Sequence, residues 1–122
     1  MTTTKEKPLV GIVGPCSAGK STLIADLKKY GVRTRHIAQE HSYVKDMWRR
    51  LSNPDLLIFL DVSYPVAQER RQLAWTNSEY EMQIHRLRHA REHADFFILT
   101  DGMTPDDVLK KVLGFLKEIN YA

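Results

Sequence analysis

Gly14-Pro15-Cys16-Ser17-Ala18-Gly19-Lys20-Ser21 has the spacing G-x-x-x-x-G-K-[ST] of a phosphate-binding loop. An apolar, strand-like run, 9–13, precedes it, and a helix-like run ending at Tyr30 follows it. That placement turns a string match into a binding site. Backbone N–H groups of the loop can converge on nucleotide phosphates, the Lys20 side chain can reach the outer ones, and the Ser21 hydroxyl can ligate Mg²⁺. Gly14 and Gly19 let the backbone turn tightly and approach the ligand where a Cβ would obstruct it. Nucleotide contacts are therefore expected from Gly14, Pro15, Cys16, Ser17, Ala18, Gly19, Lys20, Ser21 and Thr22.

The rest of the chain continues the alternation. Runs 9–13, 56–60 and 96–99 are short and almost wholly apolar, as in parallel strands covered on both faces, and the more polar 32–38 reads as an edge strand. Between them the period becomes helical: Leu23, Ile24, Leu27 and Tyr30 form one stripe. Val44, Met47, Trp48 and Leu51 form a second, and Val108, Val112, Phe115, Leu116 and Ile119 a third. Gly31 closes the first helix, Ser42 starts the second, Asn53-Pro54 stops it, and Thr104-Pro105-Asp106-Asp107 opens the last. Ser78-Glu79-Tyr80-Glu81 reads as a capping box, which splits the polar stretch between Leu60 and Asp95 into two helices joined near 75–78. The predicted fold is α/β: a three-layer sandwich on a short parallel sheet of about four strands, with the ligand at the carboxyl ends of the strands.

At 122 residues, 43% hydrophobic and 27% charged, the chain is expected to form one domain, 1–122, with a polar, flexible N-terminus over 1–8. A net charge of +3 suits an anionic ligand but falls short of the dense basic patch of a dedicated nucleic-acid binder. No apolar run approaches the roughly 20 residues that cross a bilayer, so no membrane partner is expected and the cytosol is the expected location. The single cysteine, Cys16, excludes an intrachain disulfide and a cysteine-based zinc cluster. It reads as a variable loop position, the alternative being a thiol activated by the neighbouring helix N-terminus whose oxidation or alkylation would block the nucleotide site.

Phosphoryl transfer needs a cradle, a metal, an acid and neutralising cations. Two acids follow predicted strands, Glu40 and Asp61. Glu40 is the candidate base or outer-shell Mg²⁺ contact if the second strand lies beside the first, and Asp61 is a metal contact or a group bonding loop amides. Arg70 and Arg71, one short helix after the third strand, are the candidate cations, and Trp75 is a base-stacking or packing residue. His85, His89 and His93 recur every four residues, a spacing open to a transition metal. With Arg86, Arg88 and Arg91 beside them a solvated basic face is the better reading, and nucleic-acid contact a lesser one.

With the loop, 55–71 and 94–116 in hand, the chain resembles a shortened member of the P-loop nucleoside and nucleotide kinase superfamily, of the thymidylate, cytidylate and deoxynucleoside kinase kind. The resemblance implies a P-loop NTPase fold with sheet order 2-1-3-4 once an edge strand is dropped. It implies that Arg70 packs on the donor base or enters the lid, that Arg71 acts on the phosphates, and that Asp101, Gly102 and Met103 border the base. Gln39-Glu40-His41-Ser42 falls where the family has an acid beside a basic residue near the acceptor, with His41 in place of the usual arginine. The segments that grip the acceptor and most of the lid are missing, so a homodimer completing the site is a further expectation. The expected activity is Mg²⁺-dependent transfer from ATP or GTP to a nucleoside or nucleoside monophosphate. A plain NTPase, a polynucleotide kinase and a non-catalytic nucleotide-binding module are the alternatives.

Overall fold

Four short apolar runs pair side by side, all parallel, in the order expected. In the computed structural model, which describes residues 7–71 and 76–121, these are β1 (Val10–Val13), β2 (Thr34–His36), β3 (Leu56–Asp61) and β4 (Phe96–Leu99), arranged β2-β1-β3-β4. Ile12 pairs with His36 on one side and Ile58 on the other, and Phe59 pairs with Phe97. Helices fill the connections: α1 (Lys20–Lys29), α2 (Met47–Ser52), α3 (Tyr64–Arg71), α4 (Asn77–Arg86), α5 (Arg88–His93) and α6 (Pro105–Glu118), with a 3-10 turn over Gln39–His41. None of the described helices is long and apolar enough to cross a membrane.

Strand side chains alternate between faces, so β3 feeds two cores. Ile58 and Leu60 join Val10, Ile12, Leu23, Leu27, Val112 and Leu116 under α1 and α6. Leu57 and Phe59 join Val13, Ile37, Trp48, Leu87 and Ala90 under α2, α4 and α5. Helices therefore cover both faces of the sheet. β4 departs from the expectation of two covered faces: it is an edge, Phe97 and Leu99 are exposed, and the Arg91 guanidinium lies over the Phe97 ring at 4.8 Å.

Several element ends are where the sequence places them. Gly31 takes φ +77° just beyond α1, Asn53 ends α2 in the left-handed region, and the Thr104 hydroxyl and Asp107 carboxylate close a reciprocal capping box on α6. Others differ for local reasons. The Ser42 hydroxyl closes a tight turn on Val44 N–H at 3.2 Å rather than starting a helix, so α2 begins only at Met47 and leaves Val44 and Leu51 exposed. Tyr30 and Ile119, predicted on buried stripes, are also exposed. Thr76, not Ser78, caps α4, accepting from Glu79 N–H at 3.1 Å. The helix expected from Ser78 onward breaks in two at Leu87, which is buried and whose N–H is shared between the Gln83 and Ile84 carbonyls.

Candidate functional site

The loop between β1 and α1 lies at the carboxyl end of the sheet, hard against β3. A Cβ on Gly14 would run into the Leu60 carbonyl, so only glycine lets the chain leave β1 along this path. Gly19 is the N-cap of α1 with φ +95° and offers no side-chain cap. The first turn closes with Leu23 N–H on the Gly19 carbonyl at 3.1 Å. The N–H groups of Lys20, Ser21 and Thr22 precede that bond and lack intrahelical acceptors, and the helix dipole adds partial positive charge to them. Ser21 and Thr22 are exposed at this end. The arrangement is an anion seat.

Lys20 is buried beside it, and its ammonium uses three acceptors: the Gly14 carbonyl at 2.7 Å, the Pro15 carbonyl at 3.1 Å and Glu40 Oε2 at 2.9 Å. Only 6% of the Lys20 side chain and 4% of that of Glu40 is exposed, so this is an ion pair largely withdrawn from water. The sequence expectation of Glu40 as base or outer-shell Mg²⁺ contact is conditional on β2 lying beside β1, and that condition is met. Gln39 holds Glu40 there. Its amide donates to the Val44 and Arg86 carbonyls at 2.8 and 3.1 Å and accepts from Trp48 N–H at 2.8 Å, and Arg86 donates to the Glu40 carbonyl at 3.3 Å. The second Glu40 oxygen, Oε1, is buried with no hydrogen-bond partner among the described residues.

Sequence reasoning missed Gln83. From α4 its Oε1 accepts from Cys16 N–H at 2.9 Å, and its Nε2 donates to Cys16 Sγ at 3.2 Å. The signal was present: Gln83 occupies the same helical stripe as Leu87 and Ala90, where a polar residue has to find partners inside. Cys16 Sγ also lies 3.7 Å from His41 Nε2, which lies 3.8 Å from Glu40 Oε2.

Arg70 reaches the loop from the other side. Its guanidinium donates to the Ser17 carbonyl at 3.0 Å, Thr100 Oγ1 at 3.0 Å and the Thr100 carbonyl at 2.9 Å, all neutral acceptors. It borders a cavity of about 200 Å³ with Gly19, Thr22, Met103 and Val108. Met103 closes the turn after β4 on the Thr100 carbonyl, Gly102 takes φ +71°, and Asp101 accepts from Ser63 N–H at 2.9 Å. A second cleft of about 420 Å³ is lined by Arg35, His36, Gln39, His41, Met47 and Trp48, the Glu40 side chain not among them.

Asp61 stands at the end of β3, where Oδ1 accepts from Val62 N–H at 2.9 Å and Oδ2 lies 3.9 Å from Arg91. Burial pushes its carboxyl above the ordinary carboxylate range, against the pull of the Val62 N–H and of Arg91. Arg71 ends α3, and its side chain and Trp75 lie outside the described residues. The histidine row is not simply solvated: Trp48 Nε1–H donates to His89 Nδ1 at 3.2 Å, and the His89 and His93 rings stack at 4.1 Å. Desolvation, then the neighbouring His93, holds His89 below the ordinary histidine value. Among the described residues, three metal-ligating side chains gather only at Cys16, Glu40 and His41.

No protein-family model matches the chain, and comparison with curated proteins finds no match.

Proposed function

We propose that the protein is a Mg²⁺-dependent phosphotransferase that moves the terminal phosphoryl group of ATP or GTP to a nucleoside or nucleoside monophosphate. One observation carries the reading: an uncapped helix N-terminus with a buried lysine beside it, paired to a glutamate that keeps one oxygen unpartnered. The N–H groups of Lys20, Ser21 and Thr22 bind phosphate oxygens, and Lys20 offers its ammonium to the charge that grows on the transferred group. Arg70, with three neutral acceptors, has a full positive charge to set beside the donor phosphates. The cavity it borders is smaller than the about 300–1,000 Å³ that encloses a whole ligand, so it takes the base alone.

Magnesium prefers oxygen ligands and keeps several waters. The exposed Ser21 hydroxyl and the unpartnered Glu40 Oε1 are donors of that kind, with Asp61 as a further carboxylate at the end of β3. When bound, the ion supplies charge neutralisation on the outer phosphates. Glu40 is also the candidate base for the proton of an acceptor hydroxyl, and its chain neighbours Gln39 and His41 line the second cleft. The Trp48 ring, the Arg35 guanidinium and the imidazoles of His36 and His41 on that wall suit an aromatic, anionic acceptor, which favours transfer over plain hydrolysis.

The test is incubation with terminally labelled ATP or GTP, Mg²⁺ and a panel of nucleosides, monophosphates and 5′-hydroxyl oligonucleotides. Label is expected on a nucleoside or monophosphate, with a loss of at least about 10²-fold in Lys20→Met, the scale of removing one electrostatic catalytic group. Phosphate release indifferent to every acceptor, or binding without turnover, overturns the proposal.

A further inference from the structure

The loop cysteine, the buried glutamate and the exposed histidine after it converge. Cys16 Sγ, a Glu40 carboxylate oxygen and His41 Nε2 all lie within 4.8 Å of one another. A tetrahedral ion with bonds of about 2.3 Å to sulfur and about 2.0–2.2 Å to nitrogen or oxygen holds S and N about 3.6 Å apart and N and O about 3.4 Å apart. The separations here are 3.7 Å from Cys16 Sγ to His41 Nε2 and 3.8 Å from His41 Nε2 to Glu40 Oε2, the companion oxygen of the Oε1 that would ligate the ion. Closing a few tenths of an ångström is within reach of the His41 ring, whose side chain is 60% exposed.

We propose that Cys16, Glu40 and His41 bind a zinc-class divalent cation at the rim of the phosphate loop, with a fourth position open to water or an anion. The donor set is sulfur, imidazole nitrogen and carboxylate oxygen, which suits zinc and disfavours magnesium. Independent support comes from Glu40 Oε1: it is buried, it has no partner among the described residues, and an ion is the simplest thing that would satisfy it. Outer partners are also in place, since Gln83 Nε2–H donates to the sulfur and Gln39 anchors the turn that carries Glu40 and His41. Lys20 opposes a cation, but it sits on Glu40 Oε2 and leaves the lone pairs of Oε1. A thiolate and a carboxylate together then face one dication. The site needs no nucleotide and does not rest on the phosphotransferase reading; it takes the same Glu40 Oε1 that magnesium would use there, so the two ions compete for that oxygen.

Cobalt(II) titration of the full chain, without nucleotide, tests it. One equivalent is expected to give the intense visible bands of tetrahedral cobalt with a near-ultraviolet thiolate-to-metal band, all bleached by one equivalent of zinc. Cys16→Ser is expected to abolish the thiolate band, and His41→Ala to weaken binding by at least about tenfold, the lower end of what even outer-shell changes cost. Because Glu40→Gln risks unfolding the buried pair, these two variants carry the test, each checked by circular dichroism. A triple substitution of His85, His89 and His93 to Ala should leave the titration unchanged. Absence of a thiolate band in the parent, unaltered affinity in His41→Ala, or loss of binding in the triple variant alone each overturns the proposal.

Discussion

Removing one member of the Lys20–Glu40 pair should destabilise the protein far more than its share of the contact, and removing both should cost much less than the sum of the two single losses. At 2.9 Å, two unit charges attract by about 6 kcal/mol at an effective dielectric constant of about 20. Desolvation of both side chains offsets a large part of this, whereas a single substitution strands the other charge in the interior at about 3–5 kcal/mol. Lys20→Met additionally frees the Gly14 and Pro15 carbonyls, each worth about 1 kcal/mol. The expected losses are about 3 kcal/mol for Glu40→Gln, about 5 for Lys20→Met and about 5 for the double variant, a coupling of about 3 kcal/mol. Against a total of about 5–15 kcal/mol these are readily resolved by urea unfolding followed by circular dichroism, with the slope against urea unchanged. A coupling below about 0.5 kcal/mol, the additive limit for independent sites, would mean that the two side chains do not share a buried contact.

Three further perturbations address the frame around the pair. Gln83→Leu keeps the volume of the side chain but orphans Cys16 N–H, and it should cost about 1–3 kcal/mol in urea unfolding; a variant as stable as the parent refutes the clamp. Asp61 has a folded-state pKa raised above the ordinary 3.8, so the native state binds its proton more tightly than the unfolded chain does, and stability is lost as pH rises through the folded value. Asp61→Asn should therefore raise the melting temperature at pH 7 and give no gain below about pH 3.8, and a variant that melts lower at pH 7 rejects this account. Thr104→Ala removes a cap and one arm of the box on α6, and should lower stability by about 1 kcal/mol, or about 4 °C in thermal melting.

The parallel sheet and its covered layers were legible because they follow from local patterns, whereas the strand order was an expectation from the family resemblance. Continuous apolar runs such as 56–60 have no polar face to offer water, so they imply burial on both sides, and β3 obeys this by feeding both cores. The same logic misjudged 96–99, because an apolar run at the sheet edge can shelter one residue under a neighbour's guanidinium and leave another in solvent, as Phe97 and Leu99 do. Caps were legible where the cap residue has no competing partner, as at Thr104. They were not legible at Ser42 and Ser78, where a hydroxyl bonding two residues away, or a threonine two residues earlier, decides the start.

The loop was legible as a string, but what holds it was not, since its restraints come from far along the chain. Gln83 grips Cys16 from 67 residues away and Arg70 grips the Ser17 carbonyl from 53. No periodicity links such pairs; they exist only because α3 and α4 return to the carboxyl end of β1 and β3. The stretch from α3 to α4 is therefore what positions the loop. Here it supplies two of the loop's side-chain anchors, one on each flank of the anion seat. A helix that fixes the loop through Gln83 also fixes Cys16, so the position that looked variable in sequence is the one at which the loop, the buried acid and the histidine meet.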